Sequence, residues 1–276
     1  MAKKHVEEVD ELQNSLSEKE FIKRYREKVS KGGYKSSFVT VDVVLCTIRQ
    51  GKLSILLIQR GQHPFKGSWA IPGGFFDPDK ENPLEAAWRE LEEETGVSQL
   101  SEGIHLEQLA TFARPGRDPR GPVVSIAYLA FAPNLPMPTH GSDAAQAKFW
   151  AVEDLFGKEA PPLAFDHADI IRTGLERTRA KLEYTTLATS FVEEPFTLAD
   201  LKRVYEAVWD VKIADLSNFR RKVLGSEGFV IPVGDVASRP KGSAGGRPAE
   251  LYTRGNALDI QPPMLRKQME SNDKEL

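Results

Sequence analysis

The segment from residue 72 to residue 97, PGGFFDPDKENPLEAAWRELEEETGV, decides how the first half of this chain folds. Asn82, Pro83 and Glu85 are typical of a helix start, because an N-cap residue, a first-turn proline and a capping-box glutamate all favour initiation. Gly96 is typical of a helix end, since glycine adopts the left-handed conformation there without strain. The sequence therefore predicts a helix that runs from Pro83 to the residue before Gly96.

Three carboxylates of this predicted helix, Glu90, Glu93 and Glu94, are spaced i, i+3 and i+4 and therefore project from one face. Grouping them costs repulsion, but such oxygen ligands suit Mg²⁺ or Mn²⁺, which also bind substrate phosphates. Arg89 is placed to orient one carboxylate, and Gly74 permits a turn whose carbonyl joins the metal shell. A solvated acidic face is the alternative, because runs of charge usually face water.

The same segment resembles the Nudix box, which reads Gly, five residues, Glu, seven residues and then Arg-Glu-U-x-Glu-Glu-x-Gly-U, where U is aliphatic. Residues 89–97 match the second half at every position, and Glu81 lies eight residues before Arg89, as the pattern requires. Gly74 lies seven residues before Glu81, so the loop has one extra residue. The resemblance implies that Glu93 and Glu94 are the principal metal ligands, that Glu90 is a further ligand or the base, and that Arg89 orients them. These four residues would form the catalytic set.

Nudix enzymes hydrolyse a nucleoside diphosphate linked to another group. The resemblance therefore implies hydrolysis assisted by Mg²⁺ or Mn²⁺, with water activated for attack on phosphorus. In many members the general base lies outside the box on a variable loop. Asp143 is a candidate for that base, and a turn residue within HGSDAA is the alternative.

Two segments that flank the box supply candidate ligand-binding side chains. QRGQHPFKGSWAIPGG carries an arginine and two aromatic residues, and FARPGRDPRGPVVSIAY carries three arginines within seven residues. A rigid cationic loop suits bidentate phosphate binding or stacking on a base; an exposed loop tip, or a core position for the aromatic residues, is the alternative. Both segments are similar to those of ADP-ribose-directed Nudix proteins. The predicted ligand-binding residues are Arg60, Phe65, Trp69, Arg114, Arg117, Asp118 and Arg120.

The remainder of residues 36–157 alternates predicted strands with the helix, which is typical of an α/β domain. The resemblance specifies this domain as a Nudix α/β/α sandwich. Cys46, the single cysteine, lies in an apolar run and is predicted to be a buried thiol, so no intramolecular disulfide or cysteine-built zinc site is expected. The predicted strands are 38–48 and 53–58, which form a hairpin, 123–131, and 147–152.

The C-terminal part of the chain has the pattern of a winged helix-turn-helix. One helix is predicted over 196–208, with Thr197 as its N-cap, and a second over 215–224. Strands are predicted over 228–232 and 249–253, on either side of a glycine-rich tip.

Charge supports a nucleic-acid interaction for this region. Residues 216–254 hold seven basic and three acidic residues, although the whole chain has a net charge of −3. In the second helix Leu216, Phe219 and Val223 are expected to face inward, and the polar residues between them to face base edges and phosphates. A basic domain that merely docks on its neighbour is the alternative. The predicted DNA-binding residues are Asn218, Arg220, Arg221, Lys222, Lys241 and Arg247.

A second resemblance covers most of residues 36–255. LAFDHADII, YTTLA, FTLADLKRVYEAV, NFRRKVL and GGRPAELY are similar to segments of the NrtR-type Nudix-related transcriptional regulators. These bacterial proteins pair a Nudix-like domain with a C-terminal winged helix, bind double-stranded DNA as dimers, and control NAD metabolism with ADP-ribose as the usual effector. The resemblance implies a homodimeric, ADP-ribose-responsive regulator. Because the Glu cluster of the box is intact, ADP-ribose hydrolysis is also expected, unless the loop insertion or a missing base blocks turnover. The alternative function is a plain pyrophosphatase whose C-terminal domain only dimerises or docks.

The chain of 276 residues is 40% hydrophobic and 28% charged, which is ordinary globular composition. It has no apolar run long enough for a membrane span, so we expect a cytoplasmic protein without a membrane partner. The N-terminal helices either pack on the next domain or form a dimer arm. The predicted organisation is a helical extension (1–35), the Nudix domain (36–157), a linker helix (158–190), the winged helix domain (191–256) and a flexible tail (257–276).

Overall fold

The computed structural model describes residues 17–30, 37–96, 104–133, 135, 144–237 and 248–266. The chain forms two compact units, Met1–Phe38 and Val39–Leu276. The first unit contains helix α1 (Glu18–Ser30), in which the rings of Phe21 and Tyr25 stack with centroids 6.0 Å apart. Helix α1 lies within the extension that was predicted to be helical.

The second unit opens with a seven-stranded sheet of order β3-β2-β1-β6-β5, in which β4 also pairs with β1 and β7 with β2. The predicted hairpin is confirmed, because β1 and β2 pair antiparallel through a turn at Gln50 and Gly51. Both turn residues have positive φ, as the twist of a two-residue hairpin requires. The strands are β1 (Phe38–Arg49), β2 (Lys52–Arg60), β3 (Trp69–Ala70), β4 (Gly73–Phe75), β5 (His105–Phe112), β6 (Val123–Phe131) and β7 (Ala144–Ala151).

Helices cover both faces of this sheet. Helix α2 (Pro83–Thr95) packs its Leu91 against one face, together with Val43 of β1. The opposite face, which includes Val44, packs against a later helix. Successive residues of β1 thus point to opposite, equally buried faces, so the strand is a continuous apolar run. The predicted α/β/α sandwich is confirmed.

Cys46 is completely buried, as predicted. Burial raises the pKa of its thiol to about 12, because the low-dielectric core disfavours the thiolate. The residue is therefore a core side chain that does not act as a nucleophile near neutral pH.

The helix predicted as a linker, α4 (His167–Tyr184), is the second covering layer of the sandwich; it follows the one-turn helix α3 (Val152–Leu155). A Cβ added at Gly174 would lie 3.3 Å from Val44 and 3.4 Å from Leu129, so the helix lies directly on the sheet. The sequence predicted a helix here but did not indicate that it packs on the sheet. No helix in the described ranges has the length and apolar character needed to cross a membrane.

The winged helix predicted for the C-terminal part is confirmed. Its three-stranded sheet has the order β8-β10-β9. Its core includes Tyr205, whose ring contacts those of Trp209 and Phe219 edge to face. Its elements, after a 3₁₀ helix (Thr186–Phe191), are β8 (Phe196–Thr197), α5 (Leu198–Trp209), α6 (Leu216–Gly225), β9 (Val230–Val236) and β10 (Glu250–Arg254).

Helix α4 joins this domain to the sandwich through its C-terminal half. The indole N–H of Trp209 donates to the carbonyl oxygen of Arg179 at 3.1 Å, and the Arg179 Nε–H donates to the carbonyl oxygen of Val208 at 3.2 Å. The buried residues on this side of the sheet and those of the winged helix form one continuous hydrophobic cluster. The two domains therefore share a core.

The tail predicted to be flexible from residue 257 onward is packed as far as residue 266. Ile260 and Met264 are fully buried, and their backbone N–H groups donate to the carbonyl oxygens of Tyr184 and Glu183 at 2.9 and 2.8 Å. The prediction was wrong over this stretch because two buried residues separated by prolines show no helix or strand periodicity. The described part of the tail instead packs against the C-terminal end of α4.

We predict that Met264→Ala lowers the free energy of unfolding by about 2–5 kcal/mol, the range for truncating a buried methionine. Leu258→Ala is the matched control, because Leu258 lies in the same segment but is 79% exposed; its effect should stay within about 0.5 kcal/mol. Urea-induced unfolding measures both. Equal stability of the two variants would show that the tail does not pack in solution.

Candidate functional site

A cavity of about 430 Å³ opens at the edge of the sandwich, where β1, β4, α2 and the start of α4 meet. One side carries carboxylates and the other carries aromatic and cationic side chains, while its floor is made of buried polar groups. The residues that define these three parts are Glu90 and Glu93; Arg60, Phe75, Arg120 and Phe165; and Asp42, Arg117, Asp118 and His167.

Helix α2 has the bounds that its capping residues predicted. The Asn82 side chain accepts from the Glu85 N–H at 3.1 Å, and the Glu85 carboxylate accepts from the Asn82 N–H at 2.8 Å. Gly96 ends the helix with φ 73°. This reciprocal cap satisfies first-turn donors and fixes the register that brings the carboxylates to the cavity.

Arg89 bridges three carboxylates, two of which, Glu90 and Glu93, belong to the set that the box resemblance assigned to it. Its Nε and Nη2 donate to the two oxygens of Glu81 at 2.9 and 2.7 Å, while Nη1 donates to Glu90 at 2.7 Å and to Glu93 at 3.2 Å. The hydrogen bond from Arg89 holds the pKa of Glu81 below its usual value. Arg89 therefore fixes the acidic side chains at the mouth of the cavity.

Glu90 is the most buried of these acids, with 11% of its side chain exposed. Burial raises its pKa, although Arg89 opposes the shift. A Cβ at Gly74 would lie 2.4 Å from Glu90 Oε1, so only glycine allows this close approach of backbone and carboxylate. The side chain of Glu94 and residue Asp143 lie outside the described part, and the described side chains contain no group of three or more metal-ligating residues.

The loop that carries the three arginines is partly buried, which differs from the exposed tip considered above. Arg117 donates from Nε and Nη2 to the carboxylate of Asp166 at 3.0 and 2.8 Å, and its side chain is 4% exposed. Its guanidinium is therefore engaged in a bidentate pair inside the protein. The sequence missed this role, because Asp166 lies 49 residues further along the chain.

Asp118 orients the next arginine. It is buried and accepts from the Arg120 backbone N–H at 2.8 Å and from Arg120 Nη2 at 2.7 Å. The guanidinium of Arg120 lies over Phe75, with 5.0 Å to the ring centroid, and over Phe165 at 5.8 Å. Arg114 instead lies outside the cavity lining, 3.9 Å from Asp169.

The sequence also missed Phe165, which is the aromatic centre of the cavity. Its φ of 51° lies in the left-handed region, a strained conformation for an aromatic residue. The guanidinium of Arg60 lies over its ring at 4.9 Å, and Phe65 contacts it edge to face at 4.8 Å. Phe165 lies in LAFDHADII, a segment quoted for its resemblance but without assigned roles.

The prediction that Trp69 binds ligand is wrong. Trp69 is 7% exposed and packs edge to face on Trp150 at 5.2 Å, outside the cavity lining. Its backbone pairs with β2 and with residue Leu163. The core alternative is therefore correct, because the side chain points into the apolar layer beneath the sheet.

Two further buried groups on the cavity floor, Asp42 and His167, had no assigned role. The backbone N–H of Ile71 donates to His167 Nδ1 at 3.1 Å, so the ring proton is on Nε2, which lies 3.7 Å from Asp42. Burial lowers the pKa of His167 and keeps the ring neutral. Ser125 donates a hydrogen bond to the other oxygen of Asp42.

Helix α6 carries the described part of the predicted DNA surface. Arg220 and Arg221 are exposed, as predicted. Arg220 Nη2 donates to Glu250 of the wing at 3.3 Å, and Arg221 Nη2 donates to Asn218 Oδ1 at 2.8 Å. Both guanidinium groups are thereby held on the outer side of the helix.

The other predicted DNA contacts differ in exposure. Asn218 and Lys222 are only partly exposed, and burial lowers the pKa of Lys222. Leu216, expected in the core, is instead 50% exposed. The buried face of helix α6 consists of Phe219 and Val223. Lys241 and Arg247 lie outside the described residues.

Comparison with protein families agrees with this two-domain architecture. The family model described as the NUDIX domain matches residues 38–174. The model described as the NrtR DNA-binding winged helix domain matches residues 188–253. The ADPR responsive transcriptional repressor NtrR of Acinetobacter baylyi is 34% identical over 240 residues, which cover 87% of this chain and 89% of that protein.

Two solved structures are similar to this one. The crystal structure of Shewanella oneidensis NrtR complexed with a 27mer DNA has a TM-score of 0.68 and 32% identity, covering 82% of this chain and 99% of that one. The NUDIX domain of the same protein complexed with ADP ribose has a TM-score of 0.51 and 32% identity, covering 59% of this chain and 99% of that one.

We predict that His167 makes stability fall as the pH drops below about 6.5, its pKa in the unfolded chain. Because the folded pKa is lowered, the unfolded state binds the proton first, so each pH unit between the two pKa values costs up to about 1.4 kcal/mol.

Thermal unfolding between pH 7.5 and 5.5 measures this effect. His167→Gln keeps an acceptor for the Ile71 N–H and should flatten the pH dependence, whereas the exposed His63→Gln should not. Identical pH profiles for His167→Gln and the unmodified protein would contradict the assignment.

Proposed function

The chain belongs to the family of NrtR-type Nudix-related transcriptional regulators, and we propose that it is an ADP-ribose-responsive repressor that binds double-stranded DNA. We further propose that it acts as a homodimer on genes of NAD metabolism, in the cytoplasm where bacterial DNA lies. ADP-ribose would occupy the cavity of the sandwich, and α6 with the wing would contact the DNA. The relatives that respond to ADPR, bind ADP ribose and bind DNA support these two assignments.

One observation carries the regulatory part of this proposal: helix α4 reaches from the cavity to the winged helix. The cavity residue His167 is the first residue of this helix and Phe165 lies two residues before it, while Arg179 near its other end bonds to Trp209 and Val208 of the winged helix. A ligand that favours one position of this helix therefore favours one position of the DNA-binding domain. Differential contact of this kind is what a ligand-driven population shift requires.

Fluorescence anisotropy of a labelled operator duplex, measured with and without ADP-ribose, tests this function. The ligand should change duplex affinity by a factor of about 5 to 150, which is typical of allosteric coupling, and the duplex should change ADP-ribose affinity by the same factor. Ribose 5-phosphate is the control for binding of a sugar phosphate alone. Unchanged duplex affinity at saturating ADP-ribose would refute the regulatory role.

A second activity, hydrolysis of ADP-ribose to AMP and ribose 5-phosphate, is favoured by the acidic corner of the cavity. Glu90 and Glu93 line it, Arg89 orients both, and Gly74 leaves room against Glu90. A buried carboxylate with a raised pKa gains from a nearby cation, so these residues fit Mg²⁺ or Mn²⁺.

Glu90, Glu93 and Glu94 would hold the divalent cation, with the Gly74 carbonyl beside them. The bound cation would neutralise the pyrophosphate and help generate the attacking hydroxide. The chain's own contribution is orientation: Arg89 holds two of the carboxylates, and Arg120 lies at the opposite wall, where a phosphate or base of the ligand would meet its guanidinium.

We predict that Arg220→Ala/Arg221→Ala weakens duplex binding at least about tenfold, since a single arginine–base contact supplies about 1–3 kcal/mol. Loss of two cationic contacts should also reduce the slope of log affinity against log salt by about 2. Lys52→Ala/Lys158→Ala is the matched control, because it removes two exposed charges from the sandwich. Equal losses in both double variants would argue against a specific surface on α6.

For hydrolysis, we predict that the unmodified protein converts ADP-ribose to AMP in the presence of Mg²⁺, and that Glu93→Gln lowers kcat at least about 100-fold. Glu92→Gln is the control, since Glu92 is exposed on the same helix and does not line the cavity. Chromatographic separation of the nucleotides follows the product. Saturable ADP-ribose binding without turnover would assign the site to sensing alone.

A further inference from the structure

The solvent-facing side of helix α6 combines apolar and cationic side chains. Six of its residues are exposed and occupy an arc of about 180° of the helix, given 3.6 residues per turn. The helix is anchored by Phe219 and Val223, which are fully buried and lie outside this arc. The exposed residues are Leu216, Ser217, Arg220, Arg221, Leu224 and Gly225.

Two leucines on such a helix require an explanation. Leu216 is 50% exposed and Leu224 is 44% exposed, so neither contributes fully to the core of the winged helix. Arg220 lies between them on the arc, and Arg221 lies on the same arc beyond Leu224. A partner for this face must therefore accept cations and also offer apolar groups.

Double-stranded DNA meets both requirements better than a second copy of this chain. A symmetric contact between two α6 helices would bring the same patch against itself and oppose Arg220 and Arg221 to their own counterparts. In the major groove, guanine offers acceptors to arginine, and the thymine 5-methyl group offers an apolar contact to an aliphatic side chain. Charge complementarity therefore selects DNA.

Leu216 is the member of this surface placed to meet a base first. It is the first residue of α6, at the end that a recognition helix of this type presents to base edges. The capping hydrogen bond from the Asn218 N–H to Asp215, at 2.8 Å, fixes that end. Leu224 lies about 12 Å further along the helix axis, at 1.5 Å per residue.

The wing fixes the direction of the neighbouring arginine. Glu250 on β10 accepts from Arg220 at 3.3 Å and from the Tyr252 hydroxyl at 2.5 Å. The guanidinium is thereby held one helical turn from Leu216, on the side of the wing. Leu216 therefore has Arg220 as a polar neighbour of fixed direction, and its own apolar side chain stays accessible.

We propose that Leu216 is a specificity-determining residue that contacts the 5-methyl group of a thymine in the major groove. The inference rests on the proposed function, because it presupposes that the chain binds duplex DNA. It makes a distinct claim, namely that one thymine of the binding site is read through its methyl group by one named side chain.

Replacement of thymine by uracil tests this inference, because it removes only the methyl group. Duplexes bound by the full chain without ADP-ribose are selected from a randomised pool, and each recurrent thymine is then replaced singly by uracil. One replacement should weaken binding by the unmodified protein about fourfold, the factor expected for one buried methyl group. Leu216→Ala should bind the thymine and uracil duplexes equally.

Leu224→Ala is the matched control, since it removes the same side chain from the same face at nearly the same exposure. It should retain the fourfold preference for thymine. A uracil series without effect, a preference that persists in Leu216→Ala, or a change in oligomeric state in that variant would each overturn the inference. Failure to enrich any duplex would instead refute the proposed function.

Discussion

The buried ion pair between Arg117 and Asp166 is the interaction on which the rest of the site depends. Both side chains are only 4% exposed, and two parallel hydrogen bonds join them. Charges removed from water in this way are stable only when they are paired with good geometry. The pair ties the arginine loop to the residue that precedes α4, and it thereby sets the positions of Phe165 and His167 on either side of Asp166.

Helix α4 connects the region of that pair to the sheet and to the winged helix. Its first turn forms the cavity floor, its middle lies on the sheet at Gly174, and its last turns contact the winged helix. Eighteen residues span about 27 Å as a single rigid element. The C-terminal segment closes this end through hydrogen bonds to Glu183 and Tyr184. A ligand site and a DNA surface far apart are therefore connected by one helix, and the tail helps to hold its end.

The two walls of the cavity carry side chains of different chemistry. The acidic corner, with Glu90, Glu93 and Arg89, would hold the cation and the pyrophosphate of the proposed reaction. The opposite wall, with Phe165 between Arg60 and Arg120, offers stacking and cationic contacts. This combination suits a ligand that has phosphates at its centre and a base at one end. Regulation and hydrolysis would use the same two walls.

Local patterns in the sequence were sufficient to predict helix α2, its caps at Asn82 and Gly96, and the shared face of its carboxylates. These features depend on interactions between residues within one or two helical turns, so they can be derived from neighbouring positions in the sequence. The hairpin of β1 and β2 and the two helices of the winged helix were predictable for the same reason.

Only the tertiary structure decided which side chains meet across long separations. Arg117 pairs with Asp166, His167 accepts a hydrogen bond from Ile71, and Met264 donates one at the end of α4. No periodicity in the sequence marks these partners. Burial was equally unpredictable for Trp69 and Leu216, because an aromatic or aliphatic residue suits a core and a binding surface alike. The sequence by itself determined the elements and their chemistry; packing decided their roles, because burial depends on what the rest of the chain brings to each surface.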